Sequence, residues 1–121
     1  MNTMLYDKNR TKLICVPGGK KGKFVVPSGV TRIGDDAFSG CSGLTSIVIP
    51  NSVTRIGAEN NSYENGVFRD CTSLTTITLP NSVTEIGFYA FRGSGITTIT
   101  LSNKLERIYS LMLKNKEHFL H

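Results

Sequence analysis

The sequence predicts an α/β-type solenoid, mostly β, of about three to four short repeats behind an N-terminal β-hairpin cap. Three observations carry that prediction. A phrase written most fully from Pro27 to Ile49 returns from Pro50 and again from Pro80. Within it, Ile47 and Ile49 alternate with Val48 in the period-two pattern of a strand. At 121 residues with 39% hydrophobic content, the chain is one domain's worth, with a modest core. A single unit of this kind cannot bury its own apolar face and must stack on its neighbours.

The phrase explains its own spacing. In the first copy, Leu44, Ile47 and Ile49 are expected to point into the coil, with Ser46 and Val48 outward. Pro50 closes that strand because it has no N–H to offer a ladder. Val53 and Ile56 are expected inward from the opposite wall, and Gly57 permits the bend that follows. Ala37-Phe38 is expected on a short helical turn, with Phe38, Phe68 and Phe91 forming an internal aromatic column. Cys41 and Cys71 share one phase of successive copies and read as small buried groups. Cys15 falls outside that phase, and the three cysteines have no disulfide or metal spacing.

The chain divides into a hairpin cap over 1–26, repeats over 27–49, 50–79 and 80–101, and a partial repeat or capping segment over 102–121. In the cap, Leu5-Tyr6, Lys12–Val16 and Phe24–Val26 read as short strands, with Leu13 and Cys15 sharing one face and Ile14 and Val16 the other. Pro27 and Pro50 are 23 residues apart, whereas Pro50 and Pro80 are 30 apart. The additional residues form a polar insertion between Gly57 and Val67, where Glu59, Asn60, Tyr63 and Glu64 are candidate contact residues. Insertions in repeat arrays map to loops, which often carry function. The third copy is one residue short after Phe91, and Gly93 and Gly95 are expected to tighten that corner. In the last segment, Leu105, Ile108 and Met112 have helical spacing, so either a capping helix or a truncated repeat is expected.

Charge is uneven under a net +5. Residues 1–26 hold Lys8, Arg10, Lys12, Lys20, Lys21 and Lys23 against Asp7 alone. Lys20, Lys21 and Lys23 form a candidate anion patch around a glycine-rich turn, read first as a solvated hairpin tip. No aromatic residue is interleaved for base stacking, which argues against nucleic acid as the partner. Gly22-Lys23 is no phosphate loop, because Pro17 stands where the upstream glycine belongs. No segment approaches the roughly 18 apolar residues of a membrane span. Met1–Leu5 has no basic-then-apolar pattern, so neither a signal peptide nor an anchor is read in this chain.

No motif points to catalysis. His118 and His121 have no partner at zinc spacing, and no nucleophile elbow or triad setting surrounds any Ser or Thr. Asp35 and Asp36 are adjacent and expected in solvent. The expectation is a non-enzyme without cofactors or metal. The candidate partner-binding face is the outward row Ser46, Val48, Thr76, Thr78, Thr98 and Thr100, expected to line up across coils about 4.8 Å apart.

The runs Ile33-Gly34-Asp35-Asp36-Ala37-Phe38-Ser39-Gly40-Cys41 and Leu74-Thr75-Thr76-Ile77-Thr78-Leu79-Pro80 resemble the BspA-type leucine-rich repeats. That resemblance covers Phe24 to Leu101. It implies a right-handed leucine-rich-repeat coil and a protein-binding or adhesion module of a surface or secreted protein, with a host or cell-surface protein as partner. Two alternatives stand beside it. One is self-assembly, as a dimer or end-to-end stack through the C-terminal coil; the other is anionic-ligand binding through the basic hairpin.

Overall fold

The computed structural model describes residues 3–57, 66–87 and 89–101. Among the described residues, nine short strands form two walls. β1 (Leu5–Tyr6), β2 (Lys12–Cys15), β4 (Arg32–Ile33), β6 (Arg55–Ile56) and β8 (Glu85–Ile86) make one five-stranded sheet in the order β1-β2-β4-β6-β8. Opposite it, β3 (Lys21–Val25) pairs with β5 (Gly43–Val48), and β7 (Thr76–Leu79) pairs with β9 (Thr98–Leu101). β1 and β2 are antiparallel; every other pairing is parallel. The result is a mostly-β solenoid of about four turns, as the repeat predicts. β2 and β3 form its first turn, since they pair in parallel with β4 and β5.

The core is the inner face of both walls. Leu13, Ile33, Ile56 and Ile86 come from the five-stranded sheet; Phe24, Ile47 and Ile77 come from the strands opposite. Between them, the rings of Phe38, Phe68 and Phe91 stack with centroids 5.6 and 5.2 Å apart and planes 13° from parallel. Phe24 closes one end of the column edge-on at 5.7 Å and 72°. Each fully buried Phe contributes roughly 1.5–3 kcal/mol, so the column is a large share of what holds successive coils together.

Polar residues of the repeat have structural work. The Thr31, Thr54 and Thr84 hydroxyls donate to the carbonyls of Thr11, Thr31 and Thr54, each at 3.2 Å, in a ladder one coil per rung. The glycine three residues past each of these threonines continues it from the backbone: Gly34, Gly57 and Gly87 N–H donate to Leu13, Ile33 and Ile56 carbonyls at 2.8 Å. Pro27, Pro50 and Pro80 each open a turn closed by the N–H of Val30, Val53 and Val83.

Three local expectations are corrected. Ala37-Phe38 sits in a run of turns, and among the described residues none is helical. In β2 the buried residue is Leu13, while Ile14 and Cys15 are exposed and Val16, just past the strand, is buried. Alternation fails there because the strand ends at Cys15 and the Val16 N–H turns to bond the Ala37 carbonyl at 2.8 Å. The third strand starts at Lys21, three residues before Phe24, so Lys21 and Lys23 are strand residues and only Pro17–Lys20 form the turn. The insertion residues Glu59, Asn60, Tyr63 and Glu64, and the segment 102–121 with its cap-or-repeat and self-assembly expectations, lie outside the described residues.

Candidate docking face

The alternation of β3, β5, β7 and β9 puts Phe24, Ile47 and Ile77 in the core and their neighbours outside. On β3 the outer residues are Lys21, Lys23 and Val25; across the parallel register they meet Gly43, Ser46 and Val48. On the other pair, Thr76 meets Thr98 and Thr78 meets Thr100. Thr76, Thr78, Thr98 and Thr100 are exposed and Ser46 is half-buried. Val25 and Val48, each the last residue of its strand, are 55% and 40% exposed. The lysine patch and the hydroxyl row, separate in the sequence, are therefore parts of one surface.

That surface is not the unbroken ladder the sequence suggests. β5 and β7 are neighbours in space without being hydrogen-bonded strands, and the wall parts between them. The gap is a cleft of about 270 Å³ lined by Ser46, Ile47, Val48, Ile49, Thr76, Ile77, Thr78 and Pro80. The same two coils stay joined at the turns, where Phe38 and Gly40 N–H donate to the Val67 and Arg69 carbonyls at 3.0 and 2.7 Å. They also stay joined on the opposite wall through β4 and β6. The parting is confined to the face of β3, β5, β7 and β9.

Charge on the face is one-sided. Lys21 and Lys23 are the charged residues of its four strands, and none of those strands contains Asp or Glu. The stem of Lys21 lies over Gly43, where an added Cβ would come within 2.9 Å of Lys21 Cγ. Lys20 stands apart, in the turn; with Pro17, Gly19 and Lys21 it borders a second depression of about 280 Å³.

The opposite sheet carries a row that sequence reasoning missed. Lys12, Arg32, Arg55 and Glu85 occupy matching positions on β2, β4, β6 and β8. For Arg32, Arg55 and Glu85 the signal was present in the repeat, as the residue between Thr and Ile of each Thr-x-Ile-Gly phrase. Arg55 Nη2 and Glu85 Oε2 are 3.7 Å apart, a partly exposed pair of small energetic weight. Of the adjacent aspartates, Asp36 is exposed and Asp35 half-buried. Asp36 Oδ1 accepts the Gly66 N–H at 3.1 Å, tying the first repeat to the chain just past the insertion.

Groups with shifted acidity have structural explanations. Burial pushes the Cys41 and Cys71 thiols up to about 11 and about 12. Cys41 Sγ lies 3.5 Å from the Val16 carbonyl and Cys71 Sγ lies 3.1 Å from the Phe38 carbonyl. Both are buried, whereas Cys15 is exposed. Asp7 is held below the usual carboxylate range by the Lys12 backbone N–H, with the Thr11 hydroxyl and N–H adding to it. Among the described residues, no three His, Cys, Asp or Glu side chains converge as a metal site would require. Nor, among them, is any helix long and apolar enough to cross a membrane.

Comparison with known proteins agrees with this architecture. The BspA type leucine-rich repeat region matches residues 20–115 in six copies, beginning one residue before β3. Among solved structures, the chain is similar to a leucine-rich repeat protein from Eubacterium ventriosum, at 30% identity and a TM-score of 0.70. That match covers 88% of this chain but 27% of the other, so the chain spans about a quarter of its structural relative. No curated protein matches it. With its repeated phrase, its four stacked turns and a family match over most of its length, the chain belongs to the BspA-type leucine-rich-repeat family.

Proposed function

We propose that this chain is a protein-binding, adhesion-type module of a surface or secreted leucine-rich-repeat protein, and that it works by docking rather than by catalysis. The observation that carries this reading is the face formed by β3, β5, β7 and β9. It exposes Val25 and Val48 beside a row of short hydroxyl side chains, and it parts into a cleft where a folded wall would ordinarily close. Short β-branched side chains lose little conformational freedom when a partner covers them, so such a face is suited to contact over a broad area. Family membership supports a repeat module of this kind, and BspA-type repeats are commonly found on surface or secreted proteins.

The test is capture of the chain on an immobilised panel of host matrix proteins and on cultured epithelial cells. Thr76→Glu combined with Thr98→Glu puts two charges in the centre of the face while leaving the core untouched. Capture of the parent chain and its loss in the double variant is the expected result. Equal capture of both chains removes this face from consideration.

A further inference from the structure

We infer that the cleft between β5 and β7 receives an extended, acidic segment of a partner protein, with the segment's peptide groups meeting the open strand rims and its carboxylates meeting Lys23 and Lys21. The inference rests on the reading of this face as a docking surface and specifies what docks there.

Backbone geometry comes first. In a strand, the N–H and C=O of one residue point to the same side, and successive residues alternate. The Val26 N–H donates to the Val48 carbonyl, so Val48 faces β3 and Ile47 faces the cleft. The Thr75 carbonyl accepts from Thr97 and Thr98, so Thr75 and Ile77 face β9 while Thr76 and Thr78 face the cleft. Because β5 and β7 are not paired, the peptide groups of Ile47, Thr76 and Thr78 lack a strand partner. Such a rim offers alternating donors and acceptors, the complement of another extended backbone.

Charge then selects among extended segments. Lys23 is the register partner of Ser46, and Ser46 lines the cleft. Adjacent strands lie about 4.8 Å apart, within reach of a flexible lysine stem. The four strands carry Lys21 and Lys23 and no carboxylate, so an acidic segment meets attraction and a basic one repulsion. Volume limits the occupant further. At about 270 Å³ the cleft is smaller than most small-molecule sites, which run from roughly 300 to 1,000 Å³. It suits part of a segment lying across its mouth.

Fluorescence anisotropy with three labelled octapeptides tests this: alternating Glu-Thr, alternating Gln-Thr and alternating Lys-Thr. The Glu-Thr probe is expected to bind at least tenfold more tightly than the Gln-Thr probe, the Lys-Thr probe not to bind, and added salt to weaken the acidic complex. Lys21→Glu with Lys23→Glu, and separately Ser46→Leu, which fills the cleft with neutral bulk, should each lower that affinity at least tenfold. Lys8→Glu, a single charge reversal in the exposed turn after β1, should change it less than twofold. Circular dichroism melts of each variant establish that the fold is retained.

Loss in the lysine variant but not in Ser46→Leu would reduce the site to a diffuse basic patch and overturn the proposal. Preferential binding of a heparin oligosaccharide over the Glu-Thr probe would overturn it in favour of a sulfated glycan. Equal binding of Glu-Thr and Gln-Thr probes would reject the acidic partner. If no probe binds while the panel capture remains sensitive to Thr76→Glu and Thr98→Glu, the docking face stands and this inference fails.

Discussion

Phe38 and Phe68 stack with centroids 5.6 Å apart and planes 13° from parallel, although the repeat between them is the one enlarged by the polar insertion. The additional residues fall in sequence between Gly57 and Val67, and the two rings on either side of them are fully buried and in contact all the same. Coil-to-coil register is therefore held in the core, while the outer wall is free to part between β5 and β7.

Phe68→Ala should be the most damaging of the column truncations, because its ring is stacked on both faces, by Phe38 and by Phe91. A cost of about 3–5 kcal/mol is expected, enough to unfold a marginal domain. Phe24→Ala removes an edge contact at the end of the column and should cost less. Urea unfolding followed by circular dichroism ranks the two.

Gly95→Ala should destabilise the fold. An added Cβ there would lie 2.5 Å from the Thr72 carbonyl oxygen, a backbone atom that the Gly95 N–H bond to Cys71 holds close. Overpacking of this kind costs about 1–3 kcal/mol. Gly19→Ala meets nothing within 4 Å and serves as the control, with a change expected within about 0.5 kcal/mol. Thermal melts of the two variants give the comparison.

Native protein should react with a thiol reagent at one cysteine, Cys15, and denatured protein at three. The same chemistry gives an alkaline signature. Unfolded thiols ionise near 9.0, whereas Cys41 and Cys71 hold their protons to about 11 and about 12. Above 9.0 the folded state thus binds more protons than the unfolded one. Stability contributed by these thiols is full below that pH and is lost as pH rises towards about 11 for Cys41 and about 12 for Cys71, at about 1.4 kcal/mol per pH unit for each thiol. Replacing both with Ala should flatten the alkaline slope of denaturant midpoints.

Asp7 has the opposite sign. Its folded-state pKa is lowered from 3.8, chiefly by the Lys12 N–H, so its contribution is present above that pH and is lost as pH falls below it. Asp7→Asn should melt at a lower temperature than the parent near neutral pH, and the difference should shrink in acid. A difference unchanged between pH 7 and pH 2.5 would contradict the assignment.

Much of the architecture was legible because it is periodic. The inward residues Leu44, Ile47, Val53 and Ile56, the phenylalanine column and the phase shared by Cys41 and Cys71 all follow from one repeated phrase. Placement of the lysines was not legible. Lys20-Lys21-Gly22-Lys23 follows two glycines and reads as a turn, yet pairing with β5 draws Lys21 onward into a strand, a tertiary override of local preference. The parting of β5 from β7 was equally hidden, since Ser46-Ile47-Val48 and Thr76-Ile77-Thr78 read as equivalent rungs and a missing ladder is a property of two strands together. The Arg32–Arg55–Glu85 row was visible in the repeat but carried no motif that drew notice.

The central claim is that the face of β3, β5, β7 and β9 meets the partner. Amide chemical-shift mapping by NMR of the isotope-labelled chain, titrated with the panel protein that captures it, tests this most directly. The account predicts shifts concentrated in residues 21–25, 43–48, 76–79 and 98–101, with the largest at Lys23, Ser46 and Thr76 beside the cleft. Shifts concentrated instead at Arg32, Arg55 and Glu85 on the opposite sheet would contradict it.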